Sequence, residues 1–151
     1  RTQNYFDDLK GKRLALFSGY HYAFAQFDAD PKFLTDHYNA TLTYSHDSNL
    51  LMVLRDRADI ALVTRSYLST FMAGNPGEAD QFLISDRVDQ VYRHYALLRP
   101  NAPITGEKFA ELLKQLRENG QMFKIFQPFR IAVTPQAMHH AVVLDKNDGM
   151  E

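Results

Sequence analysis

Three short apolar runs, each followed by a polar break and a helix-like stretch, organise the first half of this 151-residue chain. They fall at residues 13–17, 41–44 and 59–64. Leu14, Ala15, Leu16 and Phe17 form a continuous run, the pattern of a strand covered on both faces. Thr41 to Tyr44 alternates in β-prone residues, and DIALVT at 59–64 is again apolar enough for burial. Between the runs, Asp30-Pro31 suits the start of a helix carrying Phe33, Leu34 and His37. His46-Asp47-Ser48 offers an N-cap for a helix through Leu50, Leu51, Val53 and Leu54, ended by Arg55-Asp56-Arg57. Residues 20–27 read as the beginning of another helix. Residues 67–72 read as one more, stopped by Gly74-Asn75-Pro76-Gly77. Successive strands with helices between them need crossover connections. The alternation therefore predicts an α/β fold with a mostly parallel sheet.

The second half reads differently. A short strand is expected at 82–84 and a longer one at 88–98, rich in Val, Tyr and Leu. A loop with Pro100 and Pro103 leads to Thr105, which can cap the strongest helix pattern of the chain, 107–118. Phe109, Leu112, Leu113 and Leu116 give that helix one apolar stripe, and Asn119-Gly120 stops it. A second short helix is expected at 121–126 with Met122, Phe123, Ile125 and Phe126 pointing inward. A last strand is expected at 130–134, and the tail from Asp145 is polar. The chain thus divides into an α/β domain at 1–85, a return strand with C-terminal helices at 86–129, and a tail at 130–151.

Composition narrows the function classes. Apolar residues make up 45% and charged residues 23%, a globular balance. The formal net charge is -1, so there is no broad electrostatic case for nucleic acid or an anionic membrane. The sequence contains no cysteine, which excludes disulfides, thiol catalysis and Cys-based zinc sites. The histidines lack zincin-type spacing, and no metal or cofactor is expected. Ser18 lacks a G-x-S-x-G elbow, Asp7-Asp8 lies in a turn, and no Gly-rich phosphate loop appears. No catalytic set is visible, so the chain reads as non-enzymatic.

The candidate binding residues sit after the strand-like runs. Ser18, Gly19 and Tyr20 follow the first; backbone N–H groups and the Ser hydroxyl there can take a carboxylate, or simply cap a helix. Ser45 follows the second run with His46 and Ser48, where capping alone explains the residue types. Thr64 and Arg65 end the third run, on the edge where open α/β sheets bind ligands. Arg65 can clamp an anion bidentately or pair with a surface carboxylate. Tyr20, His21 and Tyr22 can stack in a cleft or fill a core. The Lys10-Gly11-Lys12-Arg13 cluster reads as a solvated turn.

Four segments in this order carry a family resemblance. DLKGKRLAL followed by SGY, SNLLMVLRDRADIALV, VYRHYALLRP and FAELLKQLRENGQMFKIFQPF together resemble type II periplasmic solute-binding proteins, the bacterial extracellular solute-binding family 3 typified by amino-acid binders. The likeness covers roughly residues 5–129. It implies a three-layer α/β/α lobe, the second of two, followed by the strand and helices that return toward the first. It also implies a periplasmic location, a small polar solute bound between lobes, and an ABC transporter permease as partner. The same fold serves in membrane receptors and sensor kinases, which makes a ligand-sensing domain the alternative. Two departures stand out. The family's first lobe is nearly all missing before DLKGK, so the chain reads as a piece of a longer protein with half a cleft. Such a piece is expected to bind small solutes weakly or not at all, and either to pair with a second copy, by dimerisation or domain swapping, through faces left uncovered, or to repack its last helices against the first sheet. Where amino-acid binders place an Asp for the ligand ammonium, this chain has Thr64-Arg65, which favours an acidic ligand, or a sensor role with weak or no ligand.

Overall fold

The computed structural model describes residues 2–92 and 95–129, and the chain forms two compact units, 1–91 and 92–151.

The first unit is mixed α/β around a small open sheet of three parallel strands in the order β2-β1-β3. Strand β1 spans Leu14–Phe17, β2 spans Ala40–Thr43 and β3 spans Ile60–Ala61. Leu14 lies opposite both Ala40 and Ile60, and Phe17 opposite Thr43. The central β1 is the most buried, as its unbroken apolar run requires. The third strand is shorter than DIALVT suggests. One more ladder bond, Leu62 N–H to the Ala15 carbonyl at 3.1 Å, follows it, and the chain then turns into a helix.

Helix α1, Pro31–Tyr38, starts where Asp30-Pro31 places it: the Asp30 carboxylate accepts the Phe33 N–H at 2.7 Å. Its Leu34 joins Leu14, Leu16, Tyr22, Ala25, Ala40 and Ile60 in one buried cluster. Each fully buried Leu there contributes about 1.5–3 kcal/mol. Helix α2, His46–Leu54, packs against all three strands and buries Asn49 and Leu50. Its N-cap is Ser45, one residue earlier than the His46-Asp47-Ser48 expectation, because the Ser45 side chain accepts the Ser48 N–H at 3.2 Å. Helix α3, Arg65–Gly74, and the short α4, Pro76–Ala79, complete the helices of this unit.

Three expectations for this part of the chain fail for identifiable reasons. Residues 20–27 form only a three-residue 3-10 turn, Ala23–Ala25. Tyr22 is drawn into the core, its hydroxyl accepting the Phe17 N–H at 2.8 Å and donating to the Phe17 carbonyl at 3.3 Å. Gln26 and Phe27 then take left-handed φ values of 55° and 63°, which end the turn. Residues 82–84 are not a strand either; Phe82 packs on Phe71, and the Ile84 carbonyl accepts from the Gln3 side chain at 2.8 Å. The described residues of 88–98 form no strand. Asp89 instead accepts the Ala23 and Phe24 N–H groups at 2.8 and 2.9 Å, and a strand needs a neighbouring ladder that no described segment supplies.

In the second unit, helix α5 spans Gly106–Glu118, capped by Thr105 on the Lys108 N–H at 3.2 Å. Helix α6 spans Gln121–Phe126 and packs against α5 after Gly120 at φ 74°. Of the four α6 residues expected inward, Met122 is buried and Phe126 half-buried, whereas Phe123 and Ile125 are exposed. A helix this short has one inward face, and residues four apart share it. The expected strand at 130–134 and the tail from Asp145 lie outside the described residues.

Candidate functional site

Because all three strands run parallel, the loops that follow them meet at one edge of the sheet. Ser18, Gly19 and Tyr20 leave β1, Ser45 leaves β2, and Thr64 with Arg65 lies beyond β3. The six candidate residues are therefore delivered to the same sheet edge.

Their local roles differ. The Ser18 N–H donates to the Thr43 carbonyl at 2.7 Å, extending the ladder one residue past the strand. Gly19 takes φ +80° with open space around it, a backbone setting that disfavours side chains. Ser45 and Thr64 are both helix caps: Thr64 accepts the Tyr67 N–H at 3.4 Å at the start of α3. Capping thus occupies their side-chain oxygens. Arg65 opens α3 and is exposed. The ion pairs of the described residues, Arg13 with Asp56 and Asp59, Lys32 with Asp36, and Arg87 with Asp7, do not include it.

Around these residues lies a cluster of rings. Phe17, the last residue of β1, is its hub, with ring centroids 4.6 Å from Tyr20, 4.8 Å from His46 and 6.5 Å from Tyr44. His46 stands 5.7 Å from Tyr20 and 4.9 Å from Tyr67. Burial among these rings lowers the His46 pKa below its usual 6.5, opposed by the nearby Asp47 charge. The imidazole is thereby kept neutral near pH 7. Its Nδ1 is buried and has no hydrogen-bond partner. The Tyr67 hydroxyl is pushed up to about 12 by desolvation and by its hydrogen bond to Asp47. Under the cluster, Asn49 is fully buried; its Oδ1 accepts from the Thr43 hydroxyl at 2.6 Å, while its Nδ2 has no partner.

Sequence reasoning identified Tyr20 and His46 in this neighbourhood but passed over Phe17, Tyr44, Asn49 and Tyr67. A signal was present: an aromatic residue stands at or within a few positions of each strand end. Of the other aromatic candidates, Tyr22 belongs to the core, and His21 is exposed with Nδ1 at 2.7 Å from the Phe27 carbonyl oxygen. Lys12 and Arg13 of the basic cluster are engaged within the fold, Lys12 over the Tyr5 ring at 4.4 Å and Arg13 with two aspartates. Among the described residues no group of three or more His, Asp or Glu side chains is placed to hold a metal.

Comparison with protein-family models, with curated proteins and with solved structures gives no match for this chain.

Proposed function

We propose that this chain is a lobe of an extracytoplasmic solute-binding protein of the type II periplasmic class, taking a small polar or anionic solute at the C-terminal edge of its sheet. The observation that carries the reading is the convergence of the three post-strand loops, with Ser18-Gly19, Ser45 and Thr64-Arg65, on one edge of a 2-1-3 parallel sheet. The resemblance of four segments, in order, to solute-binding family 3 supports the same reading. In that class a three-layer lobe closes on its partner lobe about a hinge, and ligand stabilises the closed form that a permease or a sensor recognises. Arg65, exposed and outside every ion pair of the described residues, favours an anion over the zwitterion of an ordinary amino acid.

Amide NMR titration of the chain with acetate, succinate and glutamate tests this. Weak, saturable shifts confined to the loops around Gly19, Ser45 and Arg65 are expected. Arg65→Ala should weaken anion binding roughly tenfold. Binding that shifts none of the three loops, or an affinity indifferent to Arg65→Ala, would falsify the assignment.

A further inference from the structure

We infer that a shallow cavity on the outer face of α2 is a binding site for a phosphate group, taken between the guanidinium groups of Arg55 and Arg57. It uses none of the sheet-edge candidates and stands independently of the solute-binding reading.

Ser48, Leu51, Met52 and Arg55 share one face of α2 by helical spacing, opposite the buried Asn49 and Leu50. With Arg57 they line a cavity of about 160 Å³. Leu51 and Met52 are half-buried there, and both arginines are exposed. Two like charges thus line one concavity, and nothing in the fold neutralises them. The carboxylates nearest in sequence are already engaged: Asp56 and Asp59 both pair with Arg13, at 2.8 and 3.0 Å. Neither Arg55 nor Arg57 enters an ion pair of the described residues. Nor do the guanidiniums serve as C-caps, because backbone N–H groups take the last carbonyls of α2. Arg55 N–H donates to Leu51 at 3.0 Å, Arg57 N–H to Met52 at 2.7 Å and Asp56 N–H to Val53 at 3.1 Å. The Ser48 hydroxyl adds a neutral donor to the same lining. This donor set selects among anions. One Arg fork already satisfies a carboxylate, whereas a phosphate brings more charge and a third oxygen, which two forks and a hydroxyl match. The cavity is smaller than the roughly 300 Å³ or more that encloses a whole drug-sized ligand. It therefore suits a single phosphate group, free or carried by a small monoester whose organic part stays in solvent.

The test is an amide NMR titration of the chain with inorganic phosphate and with methyl phosphate, against acetate, all at one ionic strength set with chloride. Both phosphates are expected to shift Ser48, Met52, Arg55 and Arg57 and to bind roughly tenfold more tightly than acetate does at these residues. Arg55→Gln and Arg57→Gln should each weaken phosphate binding by roughly tenfold, and at exposed positions both variants should melt like the parent chain. Arg65→Ala should leave phosphate binding here unchanged. Phosphate shifts that miss the α2 face, an affinity no better than that of acetate, or an affinity that survives the double variant Arg55→Gln, Arg57→Gln would each overturn the site. Each of these outcomes leaves the sheet-edge reading untouched, because that reading is judged by the loops around Gly19, Ser45 and Arg65.

Discussion

At the N-terminal end of the sheet, Arg13 ties β1 to β3 through a dense set of hydrogen bonds. Its backbone N–H and its Nε both donate to Asp59 Oδ2, at 2.8 and 3.0 Å, and Nη2 donates to Asp59 Oδ1 at 3.0 Å. The rest of its guanidinium takes the Asp56 carbonyl and carboxylate at 2.7 and 2.8 Å. At the opposite end of the same strands, His46 Nδ1 and Asn49 Nδ2 are buried without partners, and Arg65 stands outside the ion pairs of the described residues. A buried donor or acceptor without a partner costs stability. One end of the sheet is therefore arranged to close the fold. The other tolerates unsatisfied groups, as binding edges commonly do at some expense in stability. The contrast makes a ranked set of expectations.

The largest loss should come from Asp59→Ala. It leaves the part-buried Arg13 N–H without its acceptor, which costs about 1–3 kcal/mol by itself, and it also releases the guanidinium fork. Urea unfolding of the variant reads this directly. A loss smaller than that of any substitution at the C-terminal edge would remove the asymmetry.

Asn49→Leu should do the reverse of what a buried polar substitution usually does. The side chains share the same heavy-atom count and branching, the Asn49 Nδ2 gives up no hydrogen bond, and the Thr43 hydroxyl keeps the Ser45 carbonyl at 3.0 Å. Replacing an unsatisfied buried group by an apolar one of like shape is near neutral or stabilising, so the change should stay within about 1 kcal/mol of the parent. Destabilisation beyond about 2 kcal/mol would mean that the Asn49 amide is satisfied after all, and the two ends of the sheet would then be alike.

The same division marks what could be read from sequence. The strand 14–17, the Asp30-Pro31 helix start and the Thr105 cap are local signals, each decided by residues next to one another, and each appears where expected. The strand at 88–98 depended on a partner that local pattern cannot supply. Its β-prone residues instead stand exposed, Val91 at 78% and Leu97 at 75%. The candidate edge was legible because parallel strands force their following loops together. The hub role of Phe17 was not, because it arises from residues of four segments meeting in space, and in sequence Phe17 is merely the end of an apolar run.

The smallest effect is expected from His46, and its sign follows from burial. Its folded pKa lies below the 6.5 of an unfolded histidine, so just below that pH the unfolded chain binds more protons than the folded one. Stability is then fully present above about pH 6.5 and falls as the pH drops through the window between 6.5 and the folded pKa. The ring is only partly buried, so solvent screens most of the penalty and the slope should be shallow. His46→Phe keeps a ring against Phe17 and Tyr67 and removes the titration. Subtracting its melting curve from that of the parent across this window should isolate a small destabilisation of the parent at the acid end. A flat or inverted difference would show that the imidazole is as well accommodated charged as neutral. The C-terminal edge would then carry no more unmet polarity than Arg13 does at the other.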